Sequence, residues 1–178
     1  MLKVVRMLAF ALIGGLLSAV GGAWAQVGRE PIDWAAVSID SIGGDKLATA
    51  DFKGKVVLLV NTASFCGFTG QYKGLVVLGV PSNDFGEQEP GTNAEIKKFC
   101  EANFDVTFPL ADKEVVSGEK AHPLYRWAAR QTGALGVPTW NFHKILIGHD
   151  GRIVDWFTAA GGMGPKLDRA IEAALVQP

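Results

Sequence analysis

The chain has 178 residues, with 17 Lys and Arg against 18 Asp and Glu, a formal net charge of −1 and 48% hydrophobic residues. So even a balance argues against electrostatic capture of nucleic acid or of an anionic membrane. The length suits one domain with a substantial core, and two cysteines in all leave no room for a disulfide-rich scaffold.

The first residues carry Lys3 and Arg6, then an uncharged apolar run from Met7 to Val20, then Ala23-Trp24-Ala25 before Gln26. This is the pattern of a Sec-type signal peptide over residues 1–25. A retained membrane anchor fits less well, because the run falls short of the ~20 apolar residues a spanning helix needs and ends in a cleavage-like site. No Cys follows the run, so a lipid anchor is not indicated. The expected mature chain, residues 26–178, is exported and periplasmic. It keeps both cysteines, which suit either a structural disulfide or a redox couple.

Residues 26–35 read as an irregular lead-in. Val37 to Ile42, the Gly43-Gly44 turn and Lys46 to Phe52 predict a β-hairpin. Lys55 to Asn61 is an apolar run expected to form a strand buried on both faces, and the polar stretch after it predicts a strand-to-helix turn with Cys66 near the helix start. Val76 to Val80 is a second buried strand ending at Pro81. Thr92-Asn93-Ala94-Glu95 forms a capping box, which predicts a helix through about Asn103.

A further helix is expected over His122 to Arg130, before Gly133. Phe142 to Ile147, the Asp150-Gly151 turn and Arg152 to Thr158 predict a hairpin. The last helix starts near Pro165 and puts Leu167, Ile171, Ala174 and Leu175 on one stripe. The order βαβ, helix, ββα describes an α/β domain whose sheet carries helices on both faces. No internal repeat, linker or low-complexity segment interrupts it.

Cys66 is the residue with the clearest chemical potential. At a helix start, unpaired backbone N–H groups and the positive end of the helix dipole stabilise a thiolate. A lone Cys is otherwise a small buried hydrophobe, and position alone leaves both readings open. Read singly, Gln88 is a loop amide, Trp140 a core aromatic and Asn141 a turn residue.

Four separated segments change that balance. They are Val60-Asn61-Thr62-Ala63-Ser64-Phe65-Cys66-Gly67-Phe68-Thr69, Pro81-Ser82-Asn83-Asp84-Phe85-Gly86-Glu87-Gln88-Glu89-Pro90-Gly91, Thr107-Phe108-Pro109-Leu110 and Trp140-Asn141-Phe142-His143-Lys144. Together and in this order they resemble the glutathione peroxidase family, over roughly residues 37–176.

The resemblance implies a thioredoxin-like fold with a mixed central sheet, and a thiol peroxidase that reduces hydrogen peroxide or organic hydroperoxides. It places Cys66 as the peroxidatic nucleophile, with Gln88, Trp140 and Asn141 as its catalytic partners. Their amide and indole N–H groups supply donors to the sulfur anion and the departing oxyanion without adding a nucleophile. Cys100, at the end of the capped helix, stands where thioredoxin-dependent members carry a resolving Cys; its other reading is a small buried apolar residue.

Ser82 occupies the place of a third Cys found in many relatives. The short connection between Trp127 and Trp140 lacks the insertion that builds tetramer contacts in larger members, which implies a monomer reduced by a thioredoxin-like protein, with glutathione as the other candidate. His122 and Pro123 match a family helix start. His143 and His149 are expected at the surface or in the hairpin, and the sequence calls for no metal or cofactor.

The chain departs from the family in one place. Between Tyr72-Lys73-Gly74-Leu75 and Val76-Val77-Leu78 the family has most of a long helix, so the first crossover helix is truncated. Parallel strands need a crossover of about a dozen residues or more. The stretch from Cys66 to Leu75 would span only about 15 Å as a helix, less than a six-residue strand. The expectation is that strand faces near Leu58, Val60, Val77 and Val80 are left partly uncovered.

A shortened variant, an inactive remnant and an internal deletion all fit the gap; the close match on both sides favours the deletion. Two rival functions stand beside the peroxidase. A thiol–disulfide oxidoreductase would ordinarily show Cys-x-x-Cys, which Cys66-Gly67-Phe68-Thr69 lacks. A non-catalytic remnant would not need the candidate catalytic residues that are all present.

Overall fold

The structure is a computed structural model and describes residues 30–63, 74–160 and 164–177. The expected signal peptide, 1–25, and Cys66 lie outside the described residues. Among those described, no helix is long and apolar enough to cross a membrane.

Four strands form one mixed sheet in the order β2-β1-β3-β4, with β1 at Val56–Thr62, β2 at Leu75–Pro81, β3 at Lys144–Ile147 and β4 at Ile153–Phe157. β1 and β2 are parallel, with Val56 opposite Leu75 and Thr62 opposite Pro81. β3 runs antiparallel to both β1 and β4. The parallel pair therefore forms in full despite the short connection. Leu75 is itself the first strand residue, so any missing helix lies before it rather than after.

Among the described residues there are three helices. They are α1 at Asn93–Phe104, α2 at Pro123–Thr132 and α3 at Pro165–Leu175. Each starts where the sequence signals it. Thr92 and Glu95 form the capping box of α1. His122 caps α2, whose first residue is Pro123, and Pro165 opens α3.

Strand alternation sends side chains to two cores. Val57, Leu59, Leu78 and Val80 pack with Trp34, Ile39 and the α2 residues Leu124, Tyr125 and Ala128. Val56, Leu58, Val60 and Val77 pack on the other face with Leu167, Ile171 and Ala174 of α3.

This overturns the expectation of uncovered strand faces. Leu58, Val60, Val77 and Val80 are all buried. The cover for Leu58, Val60 and Val77 includes the C-terminal helix, and Val80 faces the opposite core, so neither face depends on the crossover alone.

The expected hairpin over residues 37–52 is also reduced. Only an isolated Asp40–Lys46 bridge forms, and Thr49–Phe52 is a 3-10 turn. The chain at 40–42 instead bonds to 110–112: Ile42 N–H donates to the Leu110 carbonyl at 3.0 Å and Asp112 N–H to the Asp40 carbonyl at 2.8 Å. Leu110 in turn bridges Gly79 of β2. A Cβ at Gly79 would stand 2.6 Å from a Leu110 methyl and 3.0 Å from the Phe108 ring, so any side chain there would have to displace both.

Candidate active site

Two loops meet beyond the C-terminal end of β1, where open α/β sheets place their sites. One is the stretch from Asn83 to Gly91 after β2; the other is Trp140 to His143 before β3. The first turns on two consecutive left-handed residues, Gly86 at φ 64° and Glu87 at φ 52°, directly before Gln88. Its geometry is held from outside. Asn83 Oδ1 accepts from Glu89 N–H at 2.9 Å. Asp84 Oδ2 accepts from the N–H groups of Val116 at 2.8 Å and Ser117 at 3.0 Å. Lys113 Nζ donates to the carbonyls of Gly91 at 2.6 Å, Glu89 at 3.3 Å and Pro90 at 3.4 Å.

Three of the sequence-predicted residues come together here. Asn141 Nδ2 donates to Gln88 Oε1 at 2.7 Å, with a longer contact to the Phe85 carbonyl at 3.4 Å. Asn141 is fully buried while Gln88 is exposed, so the pair links the interior to the surface. With its oxygen occupied, Gln88 keeps its Nε2 as the remaining donor. Trp140 is 50% exposed. Its ring lies 6.2 Å from that of Phe85, tilted by 40°.

Cys100 sits elsewhere. It is buried on α1 in a small separate core with Ile42, Ile96 and Leu110. Ser82 is fully buried where β2 gives way to the Gln88 loop, and its hydroxyl accepts from Asp84 N–H at 3.3 Å. The described chain leaves β1 at Ala63, and Asn61, just before that point, bonds to the Trp140 loop.

His143 corrects its sequence reading. It is 2% exposed rather than at the surface, and neither ring nitrogen has a hydrogen-bond partner among the described residues. Burial pushes its pKa down from 6.5 to about 4, with Lys144 lowering it further and the Gly136 backbone, short of hydrogen-bond geometry, acting the other way. His149 is partly buried, its Nδ1 3.2 Å from the Gly54 carbonyl.

Sequence reasoning missed Asn61, Lys113 and Lys144, all of which shape these loops. Asn61 alone carried a signal, as a polar residue within an apolar strand run.

The glutathione peroxidase family model matches residues 34–129. The chain is 43% identical over 137 residues to the hydroperoxy fatty acid reductase gpx1 of Synechocystis, covering 66% of this chain and 81% of that protein. It is 42% identical over 146 residues to the glutathione peroxidase-like peroxiredoxin gpx1 of Schizosaccharomyces pombe, covering 74% and 92%. A crystal structure of T. cruzi GPX1 superposes with a TM-score of 0.62 at 25% identity, covering 81% of this chain and 97% of that one.

An alignment of 137 positions is longer than 66% of 178 residues, so the Synechocystis protein carries positions within the matched stretch that this chain lacks. That agrees with an internal deletion. With the fold thioredoxin-like and the family match running from residue 34 through the Gln88 loop into α2, this chain belongs to the glutathione peroxidase family and is a thiol peroxidase, an oxidoreductase that reduces hydroperoxides.

Proposed function

We propose that Cys66 is the peroxidatic thiol, and that Gln88, Trp140 and Asn141 hold and polarise the peroxide against it. The observation that carries this reading is the Asn141–Gln88 amide pair beside Trp140, at the end of the strand that leads into Cys66. The Cys66 thiolate attacks one peroxide oxygen. The O–O bond breaks, the sulfur is oxidised to a sulfenic acid and the second oxygen leaves, taking up a proton, as water or alcohol. The Gln88 Nε2 and the Trp140 indole N–H are the donors available to the charge that develops, and the Asn141 amide, already donating to Gln88 Oε1, orients Gln88.

Cys100 then condenses with the sulfenic acid, releasing water and forming a Cys66–Cys100 disulfide. Cys100 is buried on α1, and the bond to Cys66 calls for movement of that helix or a fold that already brings the two sulfurs together. A thioredoxin-like dithiol reduces the disulfide; glutathione is the alternative. The peroxiredoxin name of the Schizosaccharomyces pombe relative supports the dithiol cycle, and the name of the Synechocystis relative supports fatty acyl hydroperoxides among the substrates. The half-exposed Trp140 beside Phe85 gives such a chain an apolar surface to lie against. The N-terminal pattern supports export to the periplasm, and the short connection between Trp127 and Trp140 supports a monomer, acting there against oxidative stress.

Stopped-flow peroxide reduction by wild type, Cys66→Ser and Cys100→Ser tests the cycle. Cys66→Ser is expected to abolish it. Cys100→Ser is expected to complete one fast oxidation and then stall without a disulfide. Equal peroxide consumption by wild type and Cys66→Ser would remove Cys66 from the mechanism.

A further inference from the structure

We propose that Asn61 is a positioning residue for Trp140 and Asn141, an inference that rests on the catalytic reading of those two residues. Asn61 is fully buried near the end of an otherwise apolar strand. It holds the Trp140 loop by three bonds. Its N–H donates to the His143 carbonyl at 3.3 Å, its carbonyl accepts from Phe142 N–H at 2.8 Å, and its side-chain Nδ2 donates to the Trp140 carbonyl at 3.1 Å.

The two backbone bonds set Phe142 and His143 together opposite Asn61, which is a β-bulge. Phe142, its first residue, has φ 62°. Glycine ordinarily takes that left-handed place, and a bulky side chain there persists only where its surroundings hold it. The Phe142 carbonyl is held as well, by Lys144 Nζ at 2.7 Å. The bulge lets neighbouring side chains diverge: Asn141 points inward to Gln88 while Trp140 stays half exposed. Rotation of the backbone at Phe142 would turn Asn141 off Gln88.

A strand ladder needs only the two backbone bonds, and the Asn61 side chain adds a third. Its Oδ1 is buried with no partner among the described residues. An apolar side chain of the same size would avoid that unpartnered oxygen, so the amide is poorly explained by stability. It is well explained by its grip on the Trp140 carbonyl.

The test is a double-mutant cycle on the second-order rate of peroxide reduction, using the full chain as wild type, Asn141→Ala, Asn61→Leu and the double variant. Asn61→Leu is expected to slow the reaction about 10- to 100-fold, the range for misplacing a reacting group by about 1 Å. In the Asn141→Ala background it is expected to cost less than in the wild type, because only Trp140 is then left to misplace.

The acid limb of the pH–rate profile should move upward in both single variants, because each releases Gln88 from Asn141 and so misplaces the Gln88 Nε2 donor. A general loosening of the fold would lower the rate without moving that limb. Should Asn61→Leu fail to fold, Asn61→Ser, too short to reach the Trp140 carbonyl, goes through the same cycle. A slow Asn141→Ala beside a wild-type rate for the Asn61 variant overturns this proposal alone, as do losses that simply multiply. A wild-type rate for Asn141→Ala overturns the catalytic reading and the proposal with it.

Discussion

Asn141 Nδ2 donates to Gln88 Oε1 across 2.7 Å, joining residues 53 apart in the chain. One partner is fully buried and the other exposed, so the rigid interior dictates where a surface amide points. Preorganisation of that kind lowers the reorganisation needed when charge develops in a reaction. The precision of Gln88 then depends on whatever holds its loop.

Lys113 is the residue that ties down the far side of that loop, through the carbonyls of Glu89, Pro90 and Gly91, while its own N–H donates to Asn93 Oδ1 at 2.9 Å. A hydrogen bond from a charged donor is worth about 1.5–3 kcal/mol. We predict that Lys113→Met lowers stability by about that amount and slows peroxide reduction several-fold. Urea unfolding and stopped-flow kinetics on the same samples would show it; an unchanged rate would mean that the Gln88 loop holds its shape without Lys113.

The capping box should control access to Cys100. Thr92 N–H donates to Glu95 Oε2 at 2.7 Å and the Thr92 hydroxyl to the same oxygen at 2.8 Å. These bonds lower the Glu95 pKa below 4.5. Because the folded pKa is depressed, the cap contributes fully above the unfolded value and is lost as pH falls through the folded one. Thr92→Ala should cost about 0.5–2 kcal/mol. With α1 easier to open, the reduced variant should label faster at Cys100 with a thiol reagent at neutral pH. Identical labelling rates would show that Cys100 is reached without fraying of the helix start.

His143 predicts an acid sensitivity with a definite sign. Its folded pKa of about 4 lies below the unfolded value of 6.5. The unfolded chain therefore takes up a proton that the native state refuses. Stability from this group is whole above about pH 6.5 and falls away toward pH 4, by at most about 3 kcal/mol. In His143→Phe that loss should vanish. Denaturant melts of both proteins at pH 7 and pH 5 give the comparison, and parallel losses would place the acid-sensitive group elsewhere.

The cover supplied by α3 sets a fourth expectation. Ile171 is fully buried in the core that also holds Leu58, Val60 and Val77. Ile171→Ala should cost about 2–5 kcal/mol. The wild-type chain, needing no inserted helix, should melt cooperatively in the mesophile range of about 45–65 °C. Broad, non-cooperative melting of the wild type would show that the short connection does leave the sheet poorly supported.

Most of the architecture was legible in the sequence because its causes are local. The run Val56 to Thr62, the capping box Thr92–Glu95, Pro165 at the start of α3 and the Leu167–Ile171–Ala174 stripe each reveal an element through spacing alone. The four motifs likewise sufficed to recognise the family and to nominate Gln88, Trp140 and Asn141.

What tertiary structure decided was long-range. That Asn141 reaches Gln88, that Asn61 grips Trp140, that His143 is buried and that α3 covers the face holding Leu58 all depend on which loops the sheet order brings together. Periodicity along a chain reports which side of an element is apolar. It carries no information on which distant backbone carbonyl a buried amide will meet, because that is set by strand register and by the one left-handed residue, Phe142, that turns the loop inward.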